Sequence, residues 1–233
     1  MKTKIVTRKA ISTAKAKLKK AYIDNLRAEH LMNVFTAILS EIPGGSAISS
    51  LLKDYIPQKK EERMVELLHF MGQELIKHAD QINEASMKTN HFAFMLENCM
   101  RGVAMSPQKE KIDAYRAILM NTILGSGLEI TEEEHFLSLV DRLSSVHIKV
   151  IQLLIEASQN PPEGSPSIQN RLDHMDKDII ASALSELYTL NFTNTEGNVM
   201  ASFVNVPLDR IGGRLNHLGK KFADFIIYYH SGE

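Results

Sequence analysis

Between Lys9 and Arg142 the apolar residues return at steps of three and four, and each break in that rhythm falls at a proline, a glycine pair or a short polar run. Such spacing puts the apolar side chains on one face of a helix and cannot serve a half-buried strand, whose faces alternate every residue. Ala10, Ala14, Leu18 and Tyr22 open the pattern, and Leu31, Val34, Phe35, Ile38 and Leu39 continue it to Pro43-Gly44-Gly45. Ser46 is placed to cap a second helix through Ile48, Leu51, Leu52 and Tyr55, ended by Pro57. A long amphipathic helix follows from about Lys59, with Met64, Leu67, Leu68, Met71, Leu75, Ile76, Ala79 and Ile82 as its stripe. After the polar run Ser86 to Asn90, the stripe resumes at Phe92, Met95, Leu96, Cys99, Met100 and Val103. Ser106-Pro107 reads as the start of another helix, which Gly125-Ser126-Gly127 ends. Thr131 before Glu132, Glu133 and Glu134 reads as a cap followed by acids at the positive end of the helix dipole. The expectation is five or six helices joined by short turns.

Charge is uneven along the chain. The net charge is −1, yet residues 1–20 carry eight Lys and Arg and no acid. Lys9, Lys15, Lys17, Lys19 and Lys20 make that arm a candidate for nucleic acid or an anionic membrane surface. The alternative is a solvated terminus. A single cysteine, Cys99, excludes an internal disulfide framework and fits a reducing compartment. No apolar stretch follows the early cations as a secretory signal requires, so a cytoplasmic protein is expected.

After Leu143 the texture changes. Val146, Ile148, Val150, Ile151, Leu153, Leu154 and Ile155 are apolar nearly all round, which predicts a helix buried on most sides. A Pro/Gly/Ser loop at 159–166 leads to a short helix over 167–175. Asp176 then caps a second with Ile179, Ile180, Ala183, Leu184, Leu187 and Leu190 on one side. Asn194 to Asn198 reads as a turn, and Val199, Ala201 and Phe203 alternate as in a strand. Gly212-Gly213 precede a last helix.

This order resembles a winged-helix module. The ending Leu215-Asn-His-Leu-Gly-Lys-Lys-Phe-Ala-Asp-Phe-Ile226 is similar to the L-x-x-L-G-x-x-F close of many such modules, where a small residue lets the last helix pack tightly. The resemblance implies a fold class that is mainly α: a multi-helix domain at 21–142 behind the arm at 1–20, then a winged-helix (α+β) domain at 143–233. The run from Phe136 to Ile155, an acidic helix passing through Leu-Ser into a buried helix, resembles the bacterial abortive-infection-alpha family. That likeness implies a role in phage resistance and brings no catalytic residues.

DNA reading needs cations on the recognition helix. The matching segment here holds Lys177 alone, beside Asp176, Asp178 and Glu186, and residues 143–233 carry seven Lys and Arg against ten Asp and Glu. Arg171, Arg210 and Arg214 complete the candidate anion-binding set with Lys177. The charge balance favours protein contacts over phosphate contacts. Two Glu-x-x-His pairs, Glu66/His69 and Glu132/His135, with Glu41 and Glu97 elsewhere, have the order of a di-iron bundle. Chance produces such pairs at this composition, and Glu132 sits where a helix start wants an acid, so no metal and no cofactor are expected. Cys99 lies on an apolar stripe, as an inert core thiol does. No nucleophile elbow, phosphate loop or dinucleotide fingerprint occurs. The hairpin at 31–56 is weakly polar, but Glu41, Lys53 and Asp54 oppose membrane insertion at about 2.5–3.5 kcal/mol per central charge.

The expected protein is therefore a non-enzymatic bacterial interaction protein in phage defence, whose winged helix docks a protein partner or a second copy. The alternatives are a DNA-binding transcriptional regulator and a membrane-acting effector.

Overall fold

The computed structural model describes residues 61–79, 81–82 and 86–227. The basic arm and the hairpin at 31–56 lie outside these residues. The described helices are α1 (Glu61–Lys77), α2 (Asn90–Met105), α3 (Lys109–Leu124), α4 (Ile130–Arg142), α5 (Ser145–Ser158), α6 (Ile168–Arg171), α7 (Lys177–Thr189), α8 (Gly197–Ser202), α9 (Leu208–Ile211) and α10 (His217–Ile226). Two 3-10 turns, Ser86–Lys88 and Phe203–Asn205, complete the list. The chain divides into one unit of Met1–Pro107 with Tyr115–Leu137 and another of Gln108–Ala114 with Ser138–Glu233. The second unit contains residues 143–233, the span expected for the C-terminal domain, together with short pieces of α3 and α4.

In the first unit the periodic stripe is the core. Met64, Leu67, Leu68, Met71, Leu75 and Ile76 of α1 are buried, as are Phe92, Met95, Leu96, Cys99, Met100 and Val103 of α2. Thr89 caps α2, its side chain accepting from Phe92 N at 3.1 Å. Gly102 is required for packing: a Cβ there would stand 2.3 Å from Cζ of the buried Tyr115 ring. Arg116 lies over the Phe70 ring at 5.3 Å and 3.5 Å from Glu66, so α3 and α1 are joined by both charge and π contact. Two helix starts differ from the sequence reading. Ser106 is the C-cap of α2, its N–H donating to Gly102 O, and α3 begins only at Lys109. α4 begins at Ile130, and Glu132 reaches back to Glu129 N at 3.1 Å, so Glu129 takes the cap position expected of Thr131.

In the second unit α5 is the central element. Ile148, Val150, Ile151 and Leu154 are buried, and α7, α9 and α10 all pack against this helix. The winged-helix (α+β) expectation is overturned. Among the described residues no strand ladder forms, and the only β contacts are two isolated bridges, Ser167–Pro207 and Thr193–Leu215. The segment expected as a wing strand is α8 followed by a 3-10 turn. Val199, the first of the residues read as alternating in a strand, is 44% exposed. The buried positions are Met200, Val204, Leu208 and Ile211, spaced by four, four and three, and that spacing suits helical turns. Three alternating residues carry too little information against such a buried series.

The last helix docks on backbone. Asn191 takes the left-handed conformation at φ 57°, and turns the chain so that Phe192 O accepts from Asn216 N at 2.8 Å. Asn216 caps α10 through its side chain on Gly219 N at 2.9 Å, and donates to Asn191 O at 2.9 Å. The Phe192 and Phe222 rings then stack with centroids 4.6 Å apart.

Candidate functional site

Two histidines, the half-buried His91 in the first unit and the buried His147 in the second, each bond to a carboxylate about forty residues away. In the first unit Glu133 is one turn into α4 and 6% exposed. His91 Nε2, in the first turn of α2, stands 2.7 Å from Glu133 Oε2. Thr122 Oγ1, near the end of α3, donates to the same oxygen at 3.4 Å. Ser126 Oγ donates to Glu133 Oε1 and accepts from Leu128 N at 3.0 Å. His91 Nδ1 faces Glu134 Oε1 at 3.4 Å. One carboxylate thus ties α2, α3, the Gly125–Gly127 turn and α4. The serine proton is spent on the carboxylate and not on the imidazole, so the order of bonds is that of a lock and not of an activated nucleophile.

In the second unit His147, 8% exposed, lies one turn into α5. Its Nδ1 accepts from Ser144 N at 3.3 Å and meets Ser144 Oγ at 2.8 Å. Nε2 therefore carries the hydrogen and donates to Glu186 Oε2 at 3.0 Å, while Ser182 Oγ donates to Glu186 Oε1 at 3.0 Å. The serine–imidazole–carboxylate order resembles a relay, but Ser144 and His147 are the cap and third residue of α5. Their bonding is that of a capping box with histidine in the place of glutamate, and the helix start accounts for it.

Four of the nine predicted cations fall among the described residues, and two of those four are engaged within the second unit. Lys9, Lys15, Lys17, Lys19 and Lys20 lie outside the described residues. Arg171 makes a two-pronged pair with Glu156, at 2.8 and 3.0 Å. Arg214 donates to Ile211 O at 2.8 Å and lies over the Phe203 ring at 4.7 Å. Lys177 is the exposed first residue of α7, between Asp176, which caps that helix on Asp178 N, and Asp178 itself. Arg210 is exposed on α9. Glu186, one of the acids that set the recognition-helix segment against phosphate binding, bonds to His147.

On α7, where a recognition helix would be basic, Ile179 is 55% exposed and Tyr188 48%, and Val199 is exposed on the neighbouring α8. Ile179, expected on the inward side, and Tyr188 are nine residues apart, so they flank the buried side of α7 from opposite edges. α8 reaches α7 closely because Gly197 lacks a Cβ that would meet Ser185 Oγ at 2.5 Å. Among the described residues no group of three or more His, Cys, Asp or Glu is gathered to hold a metal, and no helix is long and apolar enough to cross a membrane.

The histidine nodes left no trace in the sequence. Their partners lie 42 and 39 residues away, and Glu133 reads there as one more acid at a helix start.

A second ion pair has a pH consequence. Glu110 and Lys149 are 3.1 Å apart, each side chain about a quarter exposed. Burial pushes the Glu110 carboxyl up, but its backbone hydrogen bond, Lys149 and Lys109 together outweigh burial and hold it below 4.5. A depressed carboxylate contributes stability above its unfolded pKa and loses it as pH falls through its folded pKa. Glu110→Gln is therefore expected to flatten the fall in melting temperature below about pH 4.5, leaving the neutral-pH slope unchanged. Identical acid limbs in calorimetry of the two chains would show that the pair contributes nothing.

No protein-family model, no curated protein and no solved structure matches the chain.

Proposed function

We propose that this chain is a non-enzymatic cytoplasmic interaction protein of bacterial phage defence, and that the exposed apolar residues of α7 and α8 in its second unit take part in docking a protein partner. The observation that carries the docking reading is the pairing of apolar exposure with spent charge. Ile179, Tyr188 and Val199 are exposed, while Arg171 and Arg214 are engaged within the unit. Aromatic and aliphatic anchors with few free cations suit a protein interface, and a phosphate-binding face needs the reverse. The phage-defence assignment rests on the abortive-infection-alpha likeness of Phe136 to Ile155 alone.

A photo-crosslinking residue placed at Ile179 or Tyr188 in the full chain, in producing cells, is expected to give one discrete protein adduct. The same probe at the exposed Asn160 is expected to give none. In parallel, fluorescence anisotropy with random duplex DNA is expected to show no binding that Lys177→Glu or Arg210→Glu removes. Salt-sensitive DNA binding lost in those variants, with no adduct at α7, overturns the reading in favour of a DNA-binding regulator.

A further inference from the structure

We draw no further inference here: the strongest candidate, the exposed outer edge of α2 from Phe94 to Met105, carries none, because nothing in the structure shows what covers it.

Discussion

Gly219→Ala is expected to lower the melting temperature of the chain by roughly 10 °C, the counterpart of about 2–3 kcal/mol of overpacking. The added methyl would lie 2.3 Å from Phe192 O and 3.1 Å from both the carbonyl carbon and Cβ of Phe192. Two of these three atoms are backbone, which has no rotamer to turn away. That carbonyl also accepts from Asn216 N at 2.8 Å, so displacing it loosens the cap of α10 and the Phe192–Phe222 stack together. Gly213→Ala is the internal comparison. Its nearest neighbour would be Ser158 Cβ at 3.5 Å, an ordinary contact, and its cost is expected to stay within about 0.5 kcal/mol. Thermal melts of the two variants decide the matter, and equal midpoints would sink the close-approach argument.

Glu133→Ala is expected to cost about 3 kcal/mol, near the lower end for removing one partner of a buried pair because His91 keeps some solvent contact. The deletion takes the acceptor from His91, Thr122 and Ser126 at once and leaves a void at the junction of three helices. Glu133→Gln keeps the shape and one acceptor oxygen, and the two hydroxyls can rotate, so about half that loss is expected. Glu134→Ala, whose carboxylate is largely solvated, is expected to cost less than about 1 kcal/mol. Urea denaturation at constant slope orders the three. A Glu133→Ala chain no weaker than Glu134→Ala would mean that the lock is incidental to stability.

The two histidine nodes, the Arg171–Glu156 pair and the Arg214–Phe203 stack engage their polar groups within the chain. On the second unit Ile179, Tyr188 and Val199 remain exposed, beside the exposed Lys177 and Arg210.

The sequence by itself determined helices α1 to α5, α7 and α10 and most of their inward positions, from the stripe of α1 through the buried run of α5 to Ile180, Ala183, Leu184 and Leu187 of α7, though not the exposed Ile179. It also placed the N-cap of α7 at Asp176 and the glycine end of α3. Each of these depends on residues within about one helical turn, so the 3.6-residue period carries it directly. Only the tertiary structure decided that residues 197–205 are helical turns, that Glu129 starts α4, that Glu133 and Glu186 take histidines as partners, and that two arginines are occupied. The first of these was settled by Met200 and Val204 finding buried places that a wing strand would have denied them. The partners of the histidines stand about 40 residues away along the chain. No local pattern encodes a contact over that separation, because what brings such groups together is the packing of whole helices and the need of a buried charge for a partner.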